Sequence, residues 1–225
     1  MSFVATSKVE ANGEGSVLMS RIVAGVDVGG PRKGFHAVAL RERVVVAKFH
    51  SRDPDEMAHW IRGLGVDFVA IDAPCRWREI GGPARAAERE MGRNKISSFS
   101  TPTEDRAAGN SFYTWMIAGM SLYRALFEPH PLYDSKAVQR RGCFETFPQA
   151  VACALAGGIV SAKKKNRVRR ALLDRLGIDA KAFANIDEVD AALCAIAAEA
   201  LVAGRFWAYG DQNGGFIIVP KDPAN

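Results

Sequence analysis

Short apolar runs separated by turn-formers dominate the first third of the chain, and their lengths decide which elements to expect. The runs at 22–28, 35–40 and 44–49 read as three strands. Their links are brief, a charged turn at Arg41-Glu42-Arg43 and a glycine-rich one over 29–34, which predicts an antiparallel meander. Asp53 followed by Pro54 predicts a helix start, with Asp53 as the cap, and Gly65 marks its end after about Leu64. A further apolar strand over 68–72 follows.

The pattern then loosens. Residues 75–141 carry Gly81-Gly82-Pro83, a polar stretch over 97–110 and a helical pattern over 112–126. A segment this long between regular elements is usually functional or mobile, and we expect an insertion lying over the active face. A short strand at 143–146 comes next, with helices beginning at Pro148 and spanning 165–176, where Val168, Leu172 and Leu176 form an apolar stripe. An alanine-rich helix is expected over 187–203, and a small strand over 216–219.

Two of the strands end in acid. Asp27 closes the run that starts at Ile22, Asp72 closes Phe68-Val69-Ala70-Ile71, and both precede turn-formers. A carboxylate at the edge of an apolar core favours a partner, a cation or a proton. Two such strand ends point to a metal site, because two-ion phosphoryl chemistry needs several oxygen ligands converging on cations about 3.5–4 Å apart. Glu145, again in an apolar strand just before a proline, is a third candidate. Asp187 and Asp190 are three apart and share one face of a helix start, where Ala191, Ala192 and Ala195 keep the helix slim enough to approach the sheet. Each position also has a plainer reading. Asp27 and Asp72 can take turn hydrogen bonds, Glu145 can face solvent on an edge strand, and acids at a helix start suit its dipole, with Asn185 as cap and Glu188 completing a capping box.

The order G-V-D-V-G-G, V-A-I-D-A-P, F-E-T-F-P and D-E-V-D-A-A resembles the predicted nucleases of the ribonuclease-H fold, the group related to the Holliday-junction resolvase RuvC and to YqgF. The resemblance spans about 22–205, with a closing G-G-F-I-I-V-P segment. It implies an α/β fold, RNase H-like, with a five-stranded mixed sheet of three antiparallel strands then two parallel ones, flanked by helices. It also implies metal-ligand and catalytic roles for Asp27, Asp72, Glu145 and Asp190, with Asp187 beside them as a further ligand of two Mg2+ or Mn2+ ions. The segment between Asp72 and Glu145 is longer than a minimal core of this kind needs.

Composition adjusts the picture at its margins. The chain of 225 residues is 48% hydrophobic and 24% charged, which excludes chain-wide disorder and suits one domain over 21–225 with an insertion at about 75–141 and a flexible leader over 1–20. A net charge of +5 favours a polyanionic partner, here nucleic acid of unspecified type. The densest basic run is Lys163-Lys164-Lys165-Asn166-Arg167 with Arg169-Arg170. Lys164 and Arg167 in that run, Arg32 and Lys33 beside Asp27, and Arg76 and Arg78 after Asp72 are the candidate phosphate contacts, the alternative being a solvated surface. Trp77, Phe112, Tyr113 and Trp115 can stack on bases or fill the insertion's own core. Four scattered cysteines without a C-x-x-C pair, no apolar run of membrane-spanning length and no export signal predict a cytoplasmic protein with reduced thiols. No Walker or nucleophile-elbow motif occurs. The competing functions are an actin-like or sugar-kinase-like ATP-binding or phosphotransfer protein, whose opening hairpin also carries Asp-x-Gly, and a non-catalytic nucleic-acid-binding module of the same fold.

Overall fold

The computed structural model describes residues 21–134 and 140–221; the leader expected over 1–20 lies outside the described residues. Its strands are β1 (Val23–Val28), β2 (Phe35–Arg41), β3 (Val44–Ser51), β4 (Phe68–Asp72), β5 (Gly142–Glu145), β6 (Phe206–Asp211) and β7 (Gly215–Pro220), and its helices are α1 (Pro54–Gly63), α2 (Ala86–Arg93), α3 (Glu104–Ala107), α4 (Thr114–Leu126), α5 (Pro148–Ala156), α6 (Lys165–Arg175) and α7 (Ile186–Val202). The strands form one mixed sheet in the order β3-β2-β1-β4-β5-β7-β6. The pairs β1–β2, β2–β3 and β6–β7 are antiparallel, whereas β1–β4, β4–β5 and β5–β7 are parallel.

The expected five-stranded sheet is therefore corrected to seven strands. The extra pair is a hairpin, β6 and β7, that joins the β5 edge through Glu145 beside Ile217. The small strand over 216–219 belongs to this hairpin. Its partner β6 carries Gly210 and an exposed Trp207, so it lacks the clean apolar alternation by which a strand is recognised.

Period-two alternation divides the sheet into two faces. Val23, Phe68, Ala70 and Phe144 point to the face covered by α5, α6 and α7, while Ala24, Val26, Val69 and Ile71 point to the face covered by α1 and α4. The approach of α7 is unusually close. A Cβ on Gly25 would lie 2.0 Å from the Ala191 carbonyl oxygen and 2.2 Å from the Ala195 nitrogen, so the bare glycine and the alanine face let backbone meet backbone. On the opposite face a Cβ on Gly119 of α4 would lie 2.3 Å from the Ala73 side-chain Cβ, so there the bare glycine makes room for a methyl.

The segment over 75–141 is only partly the cover that its irregularity suggests. Met116, Leu122 and Leu126 of α4 are fully buried, the last two against the same layer as Val26 and Ile71, so α4 is part of the central core. Burial of side chains this large contributes roughly 1.5–3 kcal/mol each. All four cysteines are free and buried. No described helix is long and apolar enough to cross a membrane.

Candidate functional site

Asp27 and Asp72 are partners in register at the ends of the adjacent parallel strands β1 and β4. Counting by twos from Val23 and from Phe68 places both carboxylates on the α7 face, on neighbouring strands whose backbones run about 4.8 Å apart. Neither carboxylate accepts a hydrogen bond among the described residues, so turn-capping does not account for them.

The start of α7 faces these strand ends. The Asn185 side chain accepts the Glu188 N–H at 2.8 Å, as a cap should. Glu188 reaches back to the Ala184 N–H at 2.9 Å rather than to the Asn185 N–H, and also takes Lys48 Nζ at 2.9 Å, so the expected capping box is replaced by a tether to β3. With the first turn fixed in this way, Asp187 meets Lys33 Nζ at 2.9 Å through both its oxygens, and its Oδ2 lies 3.9 Å from His36 Nε2. Asp190, one turn on and buried, pairs with the Arg169 guanidinium and has Lys165 Nζ at 3.4 Å. Arg169 also donates to Gln149 Oε1 at 3.0 Å, while its buried Nε finds no partner among the described residues.

Four acids thus face three cations, and the imbalance is felt most by the two that have no ion pair. Burial, reinforced by Asp190 and Asp187 and only partly offset by Lys165 and Lys33, pushes the Asp27 pKa up from 3.8 to about 7. Burial, then Asp27 and Asp190, also holds the Asp72 carboxyl well above the usual carboxylate range against the pull of Arg169. His36 is pushed down by burial and by the His50 ring, whose centroid lies 4.4 Å away.

Glu145 is placed elsewhere. Because Phe144 points to the α7 face, its neighbour points to the other, where the Arg85 guanidinium grips it at 2.6 and 2.7 Å and the Cys75 N–H donates at 2.9 Å. Arg85 also donates to Glu88 at 2.9 Å, and the Thr101 N–H completes that acid at 2.9 Å. This is a closed, buried ionic network, and sequence reasoning did not find Arg85 or Glu88, which lie far from Glu145 along the chain.

The candidate phosphate contacts are similarly divided. Lys33 is in the cluster, with exposed Arg32 next to it. Lys164 and Arg167 are exposed at the start of α6, but the members of that run that reach a carboxylate are Lys165 and Arg169. The reading of this basic run as a solvated surface fails at Arg169, which is buried one turn before Leu172 and Leu173. The signal available was their spacing of four, which aligns Lys165 and Arg169 on one side. Arg76 is exposed and lines a cavity with Tyr123 and Leu132, and Arg78 donates to the Gly82 carbonyl.

The donor set suits a hard divalent cation in part. Asp27 and Asp72 present oxygens without hydrogen-bond partners whose charges repel, a strain that a cation would relieve; Asp187 and Asp190 would have to exchange lysine and arginine for it. Among the described residues no three His, Cys, Asp or Glu side chains are gathered into a ready metal cage. Glu145, committed to Arg85 on the opposite face, does not fit such a set.

A mixed α/β sheet whose parallel strands end in paired carboxylates, met by carboxylates at a helix start, defines the class to which the protein belongs structurally. Within that class the chain belongs to the family described as "Protein of unknown function (DUF429)", whose model matches residues 25–213 and so includes the five candidate ligands Asp27, Asp72, Glu145, Asp187 and Asp190. Comparisons with curated proteins and with solved structures gave no match.

Proposed function

We propose that the protein is a metal-dependent nuclease of the RNase H-like kind, hydrolysing phosphodiester bonds of nucleic acid. The single observation that carries this reading is the in-register pair Asp27 and Asp72, free of hydrogen bonds among the described residues and facing Asp190 and Asp187 of α7. The meander followed by parallel strands supports the resemblance, with the β6–β7 hairpin as an addition. Asp27 and Asp72 would hold Mg2+ or Mn2+, with Asp190 and Asp187 completing the ligand set, and the metal would supply activation of a water and stabilisation of the leaving oxygen. Lys33, Lys165 and Arg169, once displaced from their acids, are in reach to neutralise the phosphates, and Lys164, Arg167 and Arg32 extend that basic border. Glu145 is reassigned from ligand to support: with Arg85 it fixes the strand end beside Asp72.

The ATP-binding alternative has less in its favour, because the glycine loop is closed on itself by the Gly29 N–H on the Gly34 carbonyl at 2.8 Å, and its lysine is held by Asp187. The test is cleavage of labelled single-stranded, duplex and branched substrates with Mg2+ or Mn2+, beside Asp27→Asn and Asp190→Asn. Loss of cleavage in both variants is expected. Cleavage retained by Asp27→Asn overturns the mechanism.

A further inference from the structure

We propose that the cavity beside Asp72, between α2, α4 and the ends of β1, β4 and β5, receives one unpaired nucleobase of the strand being cut. The proposal rests on the nuclease reading and names its substrate: nucleic acid with an unstacked base next to the scissile bond.

The cavity encloses about 210 Å³ and is walled by Val28, Met91, Trp115, Met116 and Ile217, with Asp72 at its border with the carboxylate cluster. That volume is below the roughly 300–1,000 Å³ of sites that take whole drug-sized ligands, so it suits one ring system rather than a complete nucleotide. Its charge excludes a phosphate. Arg85 is the one cation lining it among the described residues, and its guanidinium is already shared between Glu145 and Glu88. The floor is therefore net acidic, which repels an anion and accepts a neutral ring, whereas Lys33, Lys165 and Arg169 lie with Asp187 and Asp190 in the carboxylate cluster. Ser98 brings a hydroxyl to the same wall and offers an edge contact to a base, whereas the hydroxyls of Thr101 and Thr146 already donate to Glu88 and to the Ile218 carbonyl.

The mouth adds a second, independent observation. Phe99 is 60% exposed and Phe112 57% exposed, and the two rings meet edge-on at 6.0 Å. Phe99 also meets Trp115 at 6.0 Å, and Phe112 meets Tyr113 at 5.0 Å. Rings left in water beside an apolar cavity mark a binding surface more than a core. Aromatic side chains next to phosphate-binding cations are the usual means of holding unpaired bases, since every base offers a π face. A base stacked within a duplex cannot enter; it must be single-stranded or turned out of the helix.

The test uses full-length Asp27→Asn protein with Mg2+, in which no strand is cut, and oligonucleotides carrying 2-aminopurine, either single-stranded or fully paired. Single-stranded probe is expected to bind and be quenched, and paired probe to bind at least several-fold more weakly. Phe99→Ala, a surface change, is expected to weaken single-strand binding about tenfold with the circular dichroism and melting temperature unchanged. Ser98→Phe, which fills the cavity from its wall, is expected to do the same without removing an aromatic. Equal binding of both probes, with Phe99→Ala and Ser98→Phe neutral, overturns the proposal. Duplex cleavage by the wild type that Phe99→Ala leaves untouched rejects the base site while sparing the nuclease reading. Base-dependent binding without any metal-dependent cleavage supports the site and rejects the nuclease reading.

Discussion

Replacing Asp27 by asparagine should make the metal-free protein more stable, increasingly so as pH rises from the ordinary carboxylate range to about 7. Asp27 is 9% exposed and carries no hydrogen bond among the described residues, and its pKa is raised from 3.8 to about 7 by burial and then by Asp190 and Asp187. In the unfolded chain the group loses its proton near its ordinary value, so between that pH and about 7 the native state keeps a proton the unfolded state has released. Stability from this group is thus fully present below the ordinary carboxylate range and is lost as pH rises through about 7. A displacement of this size corresponds to a ceiling of about 4 kcal/mol, shared among the coupled acids, and Asp72 acts in the same direction. Asparagine copies the shape of the neutral acid and cannot ionise. In EDTA, urea or thermal unfolding near pH 3.5, below the ordinary carboxylate pKa, should barely separate wild type from Asp27→Asn, and the gap should open progressively from there to about pH 7. At pH 8 the variant should gain a few kcal/mol, on the order of 5–15 °C in melting temperature for a chain of this length. Mg2+ or Mn2+ should then stabilise the wild type at pH 8 and have much less effect on the variant. A variant that is less stable than the wild type at pH 8 in EDTA would refute this reasoning, since it would show the charged carboxylate to be structurally paired.

Other outcomes follow from the packing and from the second acidic network. Arg85→Met strands two buried carboxylates and should cost about 3–5 kcal/mol in urea unfolding, the usual range for breaking a buried pair. Glu145→Gln should lower stability while leaving Mn2+ affinity by calorimetry close to wild type, and a large loss of affinity would restore Glu145 as a ligand. Gly25→Ala drives a methyl into the α7 backbone and should cost about 1–3 kcal/mol or more, accompanied by loss of divalent-ion binding as α7 shifts Asp187 and Asp190. Lys33→Met removes the cation that now engages Asp187 and should tighten Mn2+ binding; weaker binding would mean that Lys33 orients the acid rather than competing for it.

The elements that frame the cluster were legible because each rests on a local rule. The strand over 68–72 is observed with those bounds, Asp53 and Pro54 start α1, and Asn185 caps α7. The slimness of α7 was visible in its alanines, but its consequence needed Gly25, which only the packed structure places beneath Ala191 and Ala195. The direction of Glu145 was not legible. β5 is four residues long and buried on both faces, so it has no alternation from which to read which way its acid points. Its partner Arg85 lies 60 residues away in sequence, as only tertiary structure can bring about. Arg169 was hidden differently: within a dense basic run every member looks solvated, and the one buried beside Asp190 is marked only by its place next to the apolar residues of α6. The helical pattern over 112–126 was readable, yet its role as core rather than cover depends on Gly119 allowing α4 down onto Ala73.

A crystal of the full chain grown with Mn2+ at neutral pH, with anomalous scattering recorded at the manganese edge, tests the central claim most directly. The account predicts manganese between Asp27 and Asp72, with Asp190 turned from Arg169 to join them and Glu145 still held by Arg85. Manganese absent from that position, or bound at Glu145 with Asp27 and Asp72 left bare, would contradict it.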